Sequence, residues 1–307
     1  MADEVTLKTI RDVFAIPEPR WEAVAVDAAM HDYVRGRAEE PTFVDPANTR
    51  SQLYAAVQQG RASVVVRECT CSLADGQRRS WGARVVYVSE SPYPAVAAAE
   101  VPWSTWGRIF QLFGAPKSGA QRWEVIVFAS NNAREFPPEG TLLAPEHING
   151  GSAYRCEPSS ILIVRKEEMT RVLIHELLHA GCTDDPNETV PQIEAKTEAW
   201  AEWFLTAIMA KGLQPRFCKL WPQQVAYAEK QAEMCKKRGN IRDPNDYGCR
   251  YITDRIKAWH NLGLYPTCPQ PPQSQVKVST LRFTGEFIDP AIVYAKPDTR
   301  KPIPKNS

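Results

Sequence analysis

The eleven residues Arg171–Gly181 read Arg-Val-Leu-Ile-His-Glu-Leu-Leu-His-Ala-Gly, a helix-forming stretch that is apolar on almost every side. Such a helix has to be buried. It nevertheless carries two histidines and a glutamate, and polar groups taken out of water need partners. Positions four apart lie on one helical face, so His175 and His179 can present two imidazoles to one metal ion while Glu176 reaches a water beside it. The plainer alternative is a pair of hydrogen-bonded core histidines.

Catalytic zinc takes three side chains and keeps a fourth position open, so a third donor must come from elsewhere. The acidic stretch Val190–Phe204 offers Glu194, Glu198 and Glu202, spaced four apart on nearly the same face. Glu198 follows His179 after an 18-residue gap and is the expected ligand. One of Glu194 and Glu202 is then expected to hydrogen-bond a ligand histidine and fix its tautomer, and both compete with Glu198 as alternative ligands. Failing that, they form a solvated face that pairs with Lys196.

The HExxH pattern followed by Glu198 at this separation resembles the gluzincin metallopeptidases, especially their aminopeptidase branch. The resemblance implies one zinc per chain held by His175, His179 and Glu198, with Glu176 as general base in peptide hydrolysis. A longer span resembles the predicted metallopeptidases of large DNA viruses. It comprises Asn149-Gly150-Gly151, the apolar strand ending in Arg165-Lys166-Glu167-Glu168, the HELLH helix, and Glu194-Ala-Lys-Thr-Glu-Ala-Trp-Ala-Glu202. That likeness supports a zinc site and implies a viral origin without naming a substrate.

Metzincins place a ligand where Asp185 stands, six residues after His179, which makes Asp185 a rival. The chain departs from their pattern: the glycine comes one position early, Cys182 stands in its place, and no methionine turn follows. SprT-like proteases need a third histidine soon after the motif, and the next one here is His260. Gluzincins add a tyrosine or histidine that stabilises the developing oxyanion. The candidates are Tyr227, Tyr247, Tyr251 and His260, of which His260 comes first as the only histidine after the motif. The Gly-x-Met-Glu-Asn anchor of aminopeptidases is missing, so the mode of cleavage stays open.

The resemblance also implies the fold: an α+β, zincin-like catalytic domain with a mixed sheet, an active-site helix and a helical C-terminal lobe. In such folds an edge strand pairs with extended substrate, and Ile161, Leu162, Ile163 and Val164, which lead into the metal helix, are placed in that role. Glu167 and Glu168 fall in the helix's first turn, where the dipole favours acids.

Elsewhere the periodicity predicts helices within 20–60, with Asn48 and Thr49 as cap candidates. Strands follow at 62–71 and 81–88, joined through the Asp-Gly turn Ala74–Gln77. A short helix over Trp103–Phe113 closes at Gly114, and Glu124–Ala129 reads as a buried strand. After the acidic helix come helices over 222–237 and 245–262, a short strand near 276–283, and a basic tail after Ala295 read as disordered. The expected organisation is an N-terminal region 1–115, a metal-binding core 116–212, a helical lobe 213–264 and a tail 265–307, or one continuous domain.

A net charge of +1 gives no argument for nucleic acid or an anionic membrane as partner, so specificity is sought in a cleft for a peptide or protein substrate. Neither a signal segment nor a run of about 18 apolar residues occurs, which predicts a soluble, non-secreted protein, cytoplasmic or packaged in a virion. The eight cysteines are on that ground expected to be free thiols. Nothing in the sequence sets an oligomeric state. The alternative class is a structural or virion protein of zincin fold, whose closed metal site would need Cys182 or Asp185 as a fourth ligand. A hydrolase of non-peptide amides or esters would use the same residues.

Overall fold

Four strands rich in β-branched residues make the middle of one mixed sheet, and their alternate side chains feed two different cores. Val65, Val85, Tyr87, Val125, Val127, Ile161 and Ile163 face the larger cluster, whereas Val64, Val66, Val86, Val88, Ile126, Phe128 and Leu162 face the smaller. Both faces are therefore covered, which is why these strands read as near-continuous apolar runs.

The computed structural model describes residues 2–41, 45, 47–72, 80–272 and 275–285. Along the chain come α1 (Ala2–Ala15), β1 (Trp21–Val24), α2 (Ala28–Glu39), α3 (Thr49–Gln58), β2 (Ser63–Ser72) and β3 (Ser80–Ser89). Next are α4 (Pro94–Ala99), α5 (Trp103–Phe113), β4 (Arg122–Ala129), α6 (Pro145–Ile148), β5 (Gly151–Ser152) and β6 (Ile161–Ile163). Then follow α7 (Met169–Ala180), α8 (Val190–Met209), α9 (Gln214–Lys237), α10 (Cys249–Ile252) and α11 (Asp254–Asn261). The chain is thus α+β with an open mixed sheet of order β1-β2-β3-β4-β6-β5. β1, β2 and β3 are antiparallel neighbours, β3, β4 and β6 run parallel, and β5 returns antiparallel to β6 at the edge.

Helices α2 and α3 supply the smaller core with Val34, Ala38, Leu53 and Tyr54. On the other face α5, α7 and α8 pack through Trp106, Ile109, Leu173, Leu177, Ala199 and Trp203. α7 is buried along its whole length, as a helix apolar all round must be. No described helix is long and apolar enough to cross a membrane.

The structure corrects several expectations. Trp21–Val24, read as helical, is strand β1, because its backbone pairs with Val66–Cys69 of β2. The expected helix over 245–262 is broken at Thr253 into α10 and α11. The Ala74–Gln77 turn and the tail after Ala295 lie outside the described residues. Four cysteines are not free: Cys156 pairs with Cys182 and Cys218 with Cys268, while Cys69, Cys71, Cys235 and Cys249 are buried thiols. Each pair is joined across a sequence separation, 26 and 50 residues, that only the fold closes.

No strand forms over 276–283 either. Leu281–Gly285 is irregular yet buried except for Arg282, so its backbone polar groups need partners other than a sheet. Side chains provide them. Phe283 and Thr284 donate their N–H groups to the Glu168 carboxylate at 3.1 and 2.7 Å. Gln224 donates to the Phe283 carbonyl at 2.7 Å, and Tyr227 and Gln231 donate to that of Arg282. Glu168 is therefore a buried anchor and not a solvated helix cap.

Candidate metal centre

α7 and α8 are neighbours in the core, and their contact brings the acidic face of α8 over the histidines of α7. The Nε2 atoms of His175 and His179 approach to 3.1 Å. Glu194 completes the group, with Oε2 3.4 Å from Nε2 of His175 and Oε1 3.9 Å from Nε2 of His179. These three donors lie within 4.8 Å of one another and can hold a metal ion.

Glu198 is not the third member of this group, contrary to the spacing argument. Its carboxylate is ion-paired with Arg171, and both side chains are buried. One turn separates Glu194 from Glu198 on α8, as one turn separates His175 from Arg171 on α7. The two helices consequently match Glu194 to the imidazoles and Glu198 to the guanidinium. A buried cation at position 171 requires a carboxylate, and that demand fixes the register.

Both histidines are supported from behind. Nδ1 of His179 meets the Asp184 carboxylate at 2.9 and 3.0 Å, and Nδ1 of His175 lies 3.5 Å from Glu198. The Asp184 contact fixes the tautomer of His179 and leaves its Nε2 for the metal, whereas Nδ1 of His175 has the Glu198 charge behind it at ion-pair distance without a hydrogen bond. Burial would lower the pKa of His175, but Glu198 and then Glu194 outweigh it and raise the pKa well above its usual value. Glu198 itself is pushed up by burial but pulled down more strongly by Arg171 and His175, to about 2.

Asp184 escaped the sequence reading, which singled out its neighbour Asp185. The turn after α7 decides between them: Cys182 adopts a left-handed conformation, φ 59°, and Thr183 bonds back to Leu178, which returns Asp184 to His179. Asp185 points away and accepts from the Asn187 backbone and side chain at 2.9 and 3.0 Å. It is no ligand. Glu202 faces away from the histidines as well, ion-paired with Arg255 and accepting from Gln224 at 3.2 Å, so it ties α8 to α9 and α11.

Glu176 is buried next to the donor group, and burial, only partly offset by His175 and His179, raises its pKa to about 7. Its other neighbour is the sheet edge. A Cβ at Gly151 would stand 2.9 Å from Oε1 of Glu176, 2.7 Å from Val172 and 2.6 Å from the Leu162 carbonyl. Glycine alone lets β5 come this close. The Asn149-Gly150-Gly151 signature in the sequence is thus explained by close approach, with Gly150 similarly hemmed in by Arg134 and Val172.

The edge strand is therefore β5 and not Ile161–Val164. β6 is paired on both sides, with β4 and with β5, and Ile161, Leu162, Ile163 and Val164 are buried. A run of four apolar residues lacks the alternation of a half-exposed edge, as befits an interior strand covered on both faces. The outer edge of β5 has no strand partner among the described residues, and Gly150–Tyr154 line a cleft of about 410 Å³ together with His175, Glu176, His179, Glu194 and Tyr251.

Of the four candidates for an oxyanion donor, Tyr251 lines this cleft. Tyr227 donates to the Arg282 carbonyl, and Tyr247 donates to Oδ1 of Asn149 at 2.5 Å. His260 is exposed on α11, stacked on Tyr265 with ring centroids 3.8 Å apart, and takes no part in the cleft. Its neighbour Trp259 is the residue that turns inward, and one helical step of about 100° carries His260 outward.

Comparison with protein-family models, with curated proteins and with solved structures returns no match.

Proposed function

We propose that this chain is a zinc-dependent hydrolase of peptide bonds, built on a zincin-like sheet-and-helix core. The observation that carries the reading is the three-donor group His175, His179 and Glu194 lying between a buried glutamate and an unpaired sheet edge. Two imidazoles and one carboxylate are the donor set of an open catalytic zinc site. Among the described residues no fourth donor joins the group: Cys182 is bound to Cys156, and Asp185 is engaged by Asn187. When bound, zinc supplies Lewis acidity toward water and toward a carbonyl group.

The rest of the chemistry falls to the chain. An extended peptide adds to the outer edge of β5 by backbone hydrogen bonds, which delivers its carbonyls to the histidine face. Glu176, poised near neutrality by burial, takes the proton of the attacking water and passes it to the leaving amine. Asp184 holds the His179 imidazole in the tautomer that exposes Nε2, and Glu198 sets a negative charge behind His175. Tyr251 offers its phenol to the developing oxyanion, a role whose loss costs ~2.7–4 kcal/mol in comparable sites.

The test is cleavage of a broad peptide library by the zinc-loaded protein beside Glu176→Gln. Cleavage that vanishes in Glu176→Gln while zinc stays bound supports the reading. Equal cleavage by both proteins removes Glu176 from the reaction, and the reading with it.

A further inference from the structure

A buried charge cluster lies behind the metal group and is organised by one aromatic ring. Arg134, Arg171 and Arg255 surround Phe283 with their guanidinium carbons 5.3, 4.4 and 4.8 Å from the ring centroid. Each pairs with a different buried glutamate: Arg134 with Glu168, Arg171 with Glu198, Arg255 with Glu202. Three positive and three negative side chains are thus buried around one phenylalanine, itself fully buried.

Each guanidinium also has a buried N–H without a hydrogen-bond acceptor among the described residues: Nη2 of Arg134, Nε of Arg171 and Nε of Arg255. An unmet buried donor is costly, and a π-face is the neighbour that offsets it when no acceptor is present. Phe283 is thereby the common support of three cations. One of them, Arg171, stands beside the metal group: its partner Glu198 lies 3.5 Å from Nδ1 of His175, an electrostatic contact without a hydrogen bond.

We infer that Leu281–Gly285 is a positioning strap for the metal centre and that Phe283 is its positioning residue, acting on His175 through Arg171 and Glu198. The inference rests on the metal reading above and goes beyond it, because it makes zinc affinity depend on a residue 108 positions after His175 in sequence that touches no metal donor. The strap's backbone is clamped by Glu168 and Gln224, so the ring enters the cluster in a single orientation. With the ring gone, Arg171 has room to turn away from Glu198, and His175 loses the contact behind Nδ1.

The experiment measures zinc affinity by chelator competition and the absorption spectrum of the cobalt(II)-substituted full chain for four proteins: wild type, Phe283→Leu, Glu198→Gln and the double variant. Leucine fills much of the space without presenting a π-face, and thermal unfolding of each metal-free protein checks that it is folded. We expect Phe283→Leu to weaken zinc about 10–100-fold, the range found for lost partners of metal ligands, and to alter the cobalt spectrum. In the Glu198→Gln background the same substitution is expected to change affinity less than about twofold, because the path to His175 is already cut. A merely structural role would give equal losses in both backgrounds and an unchanged cobalt spectrum, and that result overturns the inference while leaving the metal site standing. A wild-type chain that binds no zinc overturns both.

Discussion

Arg171 and Glu198 form an ion pair across α7 and α8 in which neither side chain exceeds 3% exposure. A pair this deep is not incidental, since removing one partner strands a charge at a cost of about 3–5 kcal/mol. Its presence makes Glu198 a support for His175 and leaves Glu194 as the third donor.

Gly151→Ala places a methyl group 2.6 Å from the Leu162 carbonyl and 2.9 Å from Oε1 of Glu176. The carbonyl belongs to backbone and cannot yield, so the edge strand or the glutamate must move. Stability should fall by about 1–3 kcal/mol, as for other overpacked sites, and turnover should fall with zinc still bound. Denaturant midpoints, zinc content and peptide cleavage check this; kinetics equal to wild type would show that the edge does not govern Glu176.

Asp184→Asn keeps the volume of the partner of His179 but loses its charge. We expect zinc affinity to drop about 10–100-fold. Asp185→Asn, one residue on, should leave affinity unchanged, because Asp185 is held by Asn187. Chelator competition on the two variants distinguishes them, and a larger loss in Asp185→Asn would reverse the assignment.

Acid stability of the metal-free protein follows from Glu198. Burial raises its pKa, Arg171 and His175 lower it more, and the outcome is about 2 against an ordinary 4.5. For a depressed carboxyl the stabilisation is complete above the unfolded value and is lost as pH falls from 4.5 toward 2. Urea midpoints taken from about pH 6 to about pH 3 should therefore fall more steeply for wild type than for Glu198→Gln, which starts lower. Parallel curves would show that Glu198 does not titrate in this way.

His260→Ala should do nothing at the site. The residue is exposed and stacks on Tyr265, so stability should stay within about 0.5 kcal/mol and both zinc affinity and turnover should be unchanged. A loss of turnover at constant stability would return His260 to the cleft. Tyr251→Phe is the informative companion, since Tyr251 lines that cleft.

What could be read from residues alone divides along physical lines. The buried α7, the β2 and β3 strands and α5 with its terminal Gly114 announce themselves through period and capping. The choice between Glu194 and Glu198 does not, because both lie on one face of α8 and spacing cannot rank them. The discriminating residue was Arg171, a cation set in an apolar helix that must find a carboxylate. Ile161–Val164 was legible as interior from its unbroken apolar run, whereas Gly151–Ser152 is too short to show any period. Leu281–Gly285 has no periodicity at all, since irregular buried backbone is satisfied by distant side chains such as Glu168 and Gln224. The disulfides were hidden for the same reason, each joining segments that only the fold brings together.

The most direct measurement is zinc content of the wild-type chain beside Glu194→Ala and Glu198→Gln after equilibration with excess zinc. The account predicts about one zinc per chain in wild type, none in Glu194→Ala, and stoichiometric though weaker binding in Glu198→Gln. Zinc retained by Glu194→Ala and lost from Glu198→Gln would contradict it and restore Glu198 as the ligand.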